Sequence, residues 1–226
     1  MKLFKLGVVG FIILNYIALG CAKAPSQFSD TPFQSLSKFD QELFARAALH
    51  QQKGQIDSAI VLWSKFLQRN PNSFEVRNNL GLLYYANDEI VQAIYHFDQG
   101  LKLRPRADQL KMNLVRALRV QSVILEENRE YDEAIVDLSR IVQLSPAKEH
   151  EAIERQIETL EDQIFKQVKK SDSMGEYQEF LKKYPRSPGN SDEARLWIEN
   201  KLKAKKMGNQ GSLSSDFQPS LATESR

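Results

Sequence analysis

Ala59, Trp63 and Pro71 recur as Ala93, Phe97 and Pro105, every member displaced by the same offset along the chain (59 to 93, 63 to 97, 71 to 105). A small residue, an aromatic four positions later and a proline eight after that describe one helix. It packs closely and then stops, because proline has no backbone N–H to continue the ladder. Recurrence at this period means stacking of one helix–turn–helix unit. The chain is therefore read as all-α, an α-solenoid closed by a C-terminal capping helix. Stacks of this kind usually hold partners and rarely carry out chemistry. Of the 226 residues, 42% are hydrophobic and 27% charged, enough apolar material for a sizeable core. With Lys2 and Lys5 set aside, basic and acidic side chains balance at 29 each. That leaves no electrostatic footprint for nucleic acid. Lys201, Lys203, Lys205 and Lys206 read as a solvated helix end favoured by the helix dipole.

Lys2 and Lys5 open a segment that continues as a mostly apolar run from Leu6 to Leu19. It is too short to cross a hydrocarbon core of about 30 Å comfortably, but it fits the h-region of an export signal. Ala18-Leu19-Gly20-Cys21 follows and resembles the bacterial lipobox, though with Ala-Leu where Leu-Ala is the commoner order. The resemblance implies a signal peptide over 1–20, a diacylglyceryl-type (palmitate-containing) anchor on the thiol of Cys21, and cleavage before it. Ala22 after the cysteine implies the outer membrane. Cys21 is the only cysteine, so it can staple nothing internally. An ordinary signal followed by an incidental thiol, and an uncleaved anchor, are the other two readings. In either membrane reading the positive-inside tendency sends the body to the non-cytoplasmic side. Residues 21–37 read as a flexible tether with a reach of about 20–25 Å. Phe28, Phe33 and Leu36 are placed to dock on the first helix.

Counted from Asp40, Ala47, His50, Ala59, Trp63 and Pro71 fall at positions 8, 11, 20, 24 and 32. Counted from Phe74, the same positions hold Gly81, Tyr84, Ala93, Phe97 and Pro105, with Leu80 at 7. This pattern resembles the tetratricopeptide repeat. Gly81 and Ala93 let two antiparallel helices approach; Tyr84 and Phe97 fill the surrounding volume. Asn72 with Glu75 has capping-box spacing. Units are expected at 40–73, 74–107, 108–147 and 148–187, with a capping helix at 190–206 inside a repeat domain of 38–206. A disordered tail is expected over 207–226. The third unit is too long by seven: Pro105 and Pro146 stand 41 apart. The excess is expected to lengthen its first helix around Gln121–Asn128. Ile153, Ile157, Leu160, Ile164 and Val168 mark an amphipathic fourth-unit helix, and Tyr177 and Phe180 a short one after it. Asn190 and Glu193 are expected to cap the last helix, with Ala194, Trp197, Ile198 and Leu202 on one side. Phe180 to Pro188 also resembles a junction common in periplasmic helical-repeat lipoproteins that help outer-membrane assembly.

No catalytic constellation stands out. His50 occupies a packing position, and His96 and His150 read as helix-surface residues. No His/Cys cluster has metal-ligand spacing, and no glycine pattern suits a phosphate loop. The chain is read as a non-enzyme with no cofactor and no metal. The acidic pairs Glu126–Glu127 and Asp132–Glu133 read as surface charge. In the resembled family, first helices line the concave face near positions 2, 5, 9 and 12. Here these are Gln41, Phe44, Ala48 and Gln51, then Glu75, Asn78, Leu82 and Tyr85. Arg116 and Arg119 are common to both frames possible for the third unit. The expected partner-binding set is thus Phe44, Asn78, Leu82, Tyr85, Arg116 and Arg119. Phe44 and Ala48 stand where a carboxylate clamp wants lysine and asparagine, which disfavours capture of a chaperone C-terminus. The combined expectation is a membrane-anchored, periplasm-facing scaffold for a protein or peptide partner. It would support assembly of a secretion, pilus or outer-membrane system. Two alternatives stand beside it: an envelope enzyme or ligand carrier with its site between the long third and fourth units, and an oligomer paired through helix 148–170.

Overall fold

A computed structural model describes residues 36–212, with side chains through Met207. The signal segment 1–20, Cys21, Phe28, Phe33 and the tail beyond Ser212 lie outside the described residues. Among those described there are nine α-helices and no strand: α1 (Lys38–Gln52), α2 (Ile56–Arg69), α3 (Phe74–Ala86), α4 (Ile90–Leu103), α5 (Asp108–Asn128), α6 (Tyr131–Leu144), α7 (His150–Ser171), α8 (Met174–Lys183) and α9 (Asn190–Ser212). A 3₁₀ turn, Ala147–Glu149, precedes α7. Each helix packs chiefly on its neighbour in sequence, which is the contact pattern of an all-α solenoid of tetratricopeptide-like hairpins.

The two joints of each hairpin repeat as the side chains do. First helices end in a left-handed residue, Gly54 (φ 67°), Asp88 (φ 60°) or Arg129 (φ 65°). The next amide reaches back to the first helix: Gln55 N–H to His50 O at 3.0 Å, Glu89 to Tyr84 at 2.9 Å, Glu130 to Leu125 at 2.8 Å. This is the Schellman closure, which satisfies otherwise orphaned carbonyls. Second helices end shortly before Pro71, Pro105 and Pro146, with the Asn70, Arg104 and Ser145 amides donating to the Phe66, Gly100 and Ile141 carbonyls. Ser37 caps α1 by accepting from the Asp40 amide at 3.1 Å. Ser73, not Asn72, caps α3, accepting from the Val76 amide at 3.4 Å.

The extra residues of the third unit enter α5. It has 21 residues against 15 in α1 and 13 in α3, while α2, α4 and α6 have 14 each. The consequence is a step in the stack. Asn113 donates to Asn78 at 2.8 Å, which sets α5 in register with α3. On its other side Arg119 meets Glu149 at 2.9 Å, and Gln156 donates to Glu126. So α7 begins beside the middle of α5 rather than beside its start.

Among the described residues, three apolar clusters hold the array. Leu43, Trp63, Phe66, Val76 and Leu80 join α1, α2 and α3. Phe97, Leu110, Leu114, Leu118, Leu138, Ile141, Ile153 and Leu160 join α4 to α7. Phe165, Val168, Tyr177, Phe180 and Ala194 join α7, α8 and α9. The α7 stripe is therefore core, with Phe165 added and Ile157 and Ile164 only partly buried. That leaves little apolar seam for the pairing of two such helices.

Several local expectations are corrected. His96 is not a surface residue: it is buried and stacked on Tyr84 with centroids 5.2 Å apart. Burial, helped by Arg77, lowers its imidazole to about 4, so it is neutral at pH 7. Leu202 is 48% exposed rather than packed. Asn190 lies within α9, and its side-chain amide donates to Asp162 of α7 at 2.7 Å. The last helix also runs past 206 to Ser212. Gly208 and Gly211 cost a helix only about 1 kcal/mol each, and no proline stops it. Asp132 is more than surface charge, since it accepts from the Tyr184 hydroxyl and ties α6 to the end of α8.

Asp137 occupies a repeat position equivalent to that of His96, and it too is buried, with one oxygen lacking a hydrogen-bond partner. Burial raises its carboxyl to about 6, against a weaker opposing pull from Arg140, which itself chelates Asp98 at 2.7 Å. A carboxyl raised on folding stabilises the fold while protonated and loses that contribution as pH climbs from about 4 to about 6. Asp137→Asn should therefore raise stability at pH 7 by on the order of 1–2 kcal/mol and leave it nearly unchanged at pH 4. Urea midpoints at the two pH values measure this; an equal shift at both would show that ionisation is not the cause.

Candidate partner-binding face

The expected site residues lie at repeat-equivalent positions on three consecutive first helices. Phe44, Asn78 and Met112 form one row, Ala48, Leu82 and Arg116 a second, and Gln51, Tyr85 and Arg119 a third, each step repeating the offset from Ala59 to Ala93. Within a helix the steps of four and three positions keep them on one face.

Their side chains are not equally available. Phe44 is half-buried and packs edge-on against Trp63 (4.7 Å) and Phe66 (5.5 Å), so most of its ring serves the first cluster. Gln51 accepts from the Trp63 indole N–H at 2.7 Å, which fixes both side chains. Asn78 is held by Asn113, itself held by Gln109 at 3.2 Å. This amide ladder sets the spacing of α3 and α5 and takes up an acceptor of Asn78. Arg119 is engaged by Glu149. Leu82 and Tyr85 are half-buried against the central cluster with part of each surface open. Burial raises the Tyr85 phenol, while nearby Arg116 pulls it the other way. Arg116 is exposed, and among the described residues no carboxylate stands within ion-pair distance of it.

Two members of this face went unread in the sequence. Met112 is 55% exposed one turn before Arg116, and Val123 is 51% exposed one turn after Arg119. Met112 follows from Asn78 by the repeat offset, once the Asn78–Asn113 bond selects the frame. Val123 sits on the added turns of α5, beyond the level at which α1 and α3 end, so no repeat partner signals it. The face that results is apolar at Leu82, Tyr85, Met112 and Val123, with the Arg116 guanidinium open among them.

Among the described residues no group of three His, Cys, Asp or Glu side chains could hold a metal ion, and no helix is long and apolar enough to cross a membrane. The His150 Nε2 lies 2.9 Å from the Ser145 carbonyl, so this imidazole closes the turn into α7.

No protein-family model and no curated protein matches the sequence. Among solved structures the chain is similar to the MamA protein, at 18% identity and TM-score 0.40 over 81% of this chain and 99% of that one. It is similar to the P58(IPK) TPR domain at 13% identity and TM-score 0.42, over 71% of this chain and 45% of that one. It is also similar to the first TPR of Spaghetti (RPAP3), solved bound to an HSP90 peptide, at 16% identity and TM-score 0.37, over 52% of this chain and 94% of that one. The tetratricopeptide-like fold of this chain stands on its own helix pairing, hairpin closures and repeat-equivalent core residues.

Proposed function

We propose that this protein is a lipid-anchored scaffold facing the periplasm, which holds a segment of a protein partner along its first helices and supports assembly of an envelope complex. The observation that carries this reading is the row of side chains the cores leave open: Leu82, Tyr85, Met112 and Arg116, on neighbouring helices at one repeat spacing. Stacked first helices form the concave side of such an array. A mixed face of aromatic, apolar and arginine side chains is the composition of interface hot spots. Asn78 acts here chiefly as the brace that keeps two of those helices in register. The lipobox-like end of the signal segment supports the anchor on Cys21. An anchor and a tether of this length would concentrate the face near the bilayer.

The test is crosslinking and recovery from membranes with wild type, Tyr85→Ala, Arg116→Ala and Cys21→Ser. Either face variant should lower partner yield about ten-fold, with circular dichroism unchanged. Cys21→Ser should leave the chain in the soluble fraction. Wild-type yield from both face variants would remove this surface from consideration, whatever the anchor does.

A further inference from the structure

The charge of this molecule is segregated along the array. Residues 120–162 carry twelve acidic and four basic side chains; residues 163–207 carry six acidic and eleven basic. The basic excess gathers where α7 ends and α9 runs on. Asn190–Asp162 (2.7 Å) and Lys201–Asp172 (2.8 Å) lay α9 alongside α7 as far as α7 extends. Beyond Lys201 the helix continues to Ser212, and every residue from Glu199 to Met207 is exposed, with Met207 at 73%. At about 1.5 Å per residue, this overhang is about 16 Å long.

Seven lysines stand on this end: Lys166, Lys169 and Lys170 on α7, and Lys201, Lys203, Lys205 and Lys206 on α9. Lys169, Lys201 and Lys203 pair with Glu193, Asp172 and Glu199. Among the described residues no carboxylate lies within ion-pair distance of Lys166, Lys170, Lys205 or Lys206. The dipole at a helix end accounts for one or two cations, not for a cluster drawn from two helices.

We infer that this lysine-rich overhang is a contact site for an anionic phospholipid surface. The acidic block next to it selects that occupant. A flat bilayer touches only the tip, whereas a nucleic acid tracking the molecule would have to run past the twelve carboxylates of 120–162. The overhang has no sustained apolar stripe: Leu202 and Met207 fall on different sides of the helix, so contact is electrostatic and does not insert. Clusters of this size draw a chain onto acidic lipid with a strength that grows with each lysine and falls within a Debye length of about 8–10 Å. The envelope setting of the contact rests on the proposed anchor, an acyl chain on the tether before the first unit, with the lysines at the last. The lipid contact itself does not need the anchor.

The experiment uses residues 21–226 carrying Cys21→Ser; the described cores lie wholly between Leu36 and Ile198, so this chain keeps its fold. It is floated with vesicles of one part phosphatidylglycerol to two parts phosphatidylcholine, and with pure phosphatidylcholine, at low and high salt. The expected result is binding to the acidic vesicles only, lost at high salt. The variant Lys170→Gln, Lys201→Gln, Lys205→Gln, Lys206→Gln should weaken it by on the order of a hundred-fold. A control with the same charge change elsewhere, Lys38→Gln, Lys53→Gln, Lys102→Gln, Lys148→Gln, should bind as the parent does. No binding to acidic vesicles at low salt, equal loss in both quadruple variants, or tighter binding to duplex DNA than to the vesicles would each overturn the inference. Native acylated chain on pure phosphatidylcholine reads the anchor separately, so failure of one is not failure of the other.

Discussion

Gly81→Ala is expected to destabilise the array by about 2 kcal/mol, the middle of the range for overpacking, although alanine is the better helix former. A β-carbon at Gly81 would lie 2.4 Å from Phe97 Cε1, 2.6 Å from Cδ1 and 2.8 Å from Cζ. Phe97 is 1% exposed, and its ring is enclosed by the central cluster, so it cannot swing aside. Either the ring leaves its rotamer or α3 and α4 separate. Overpacking of this kind costs about 1–3 kcal/mol and can exceed it; the helix-propensity gain of about 1 kcal/mol does not offset a contact this short. Gly175 supplies the opposite sign. It is exposed near the start of α8, and its nearest neighbour to a new β-carbon is Ser173 Oγ at 3.8 Å. Gly175→Ala should be neutral or stabilising. Adding Phe97→Leu to Gly81→Ala should recover at least about 1 kcal/mol relative to the sum of the single changes. Urea unfolding of these variants decides it, and a Gly81→Ala chain as stable as wild type would show that the helices are not held apart by this one contact.

That contact also explains why the fold was legible. Close approach at Gly81 and Ala93, filled by Phe97, demands particular residue sizes, and residue size survives in a sequence read by eye. The hairpin prolines are legible for the same reason. What failed to read out was anything decided between helices. His96 and Asp137 hold equivalent positions beside the core stripe of their second helices; their polarity suggests surface, but His96 is buried and stacked on Tyr84 of its own hairpin, and Asp137 is buried near Asp98 of the preceding unit. Phe165 escapes notice because α7 serves two cores. Its first half faces α5 and α6 through Ile153 and Leu160, its second half α8 and α9 through Phe165 and Val168, and the buried stripe rotates between them. The choice of Ser73 over Asn72 as a cap is a one-residue matter, settled by which side chain reaches the Val76 amide. For the candidate face, counting by the repeat offset puts Leu82, Tyr85, Arg116 and Arg119 at equivalent positions of the first helices. It could not find that Asn78 and Phe44 are largely engaged within the fold. Their partners, Asn113 and the rings of Trp63 and Phe66, stand on other helices, and no local pattern announces them.

The separation of the cores leads to the other large effect. Trp63→Ala should cost about 3–5 kcal/mol, and the loss should fall on the end of the array that the first cluster holds. Trp63 is 1% exposed, wedged between Phe44 and Phe66, and anchored through its indole N–H to Gln51. Removing it empties the centre of the cluster that joins α1, α2 and α3. The only other tryptophan, Trp197, lies at the far end, stacked on Tyr177 with centroids 3.9 Å apart. In an array each unit contacts only its neighbours, so an end can open while the rest persists. In Trp63→Ala the fluorescence of Trp197 should keep its wild-type urea midpoint, while amides of 38–69 lose hydrogen-exchange protection and those of α5 to α7 keep theirs. In otherwise wild-type chains the signals of Trp63 and Trp197, isolated by Trp197→Phe and Trp63→Phe, should unfold at different midpoints. If the Trp197 midpoint falls together with helicity when Trp63 is truncated, the clusters are one cooperative unit, and the step that α5 introduces does not uncouple the two ends.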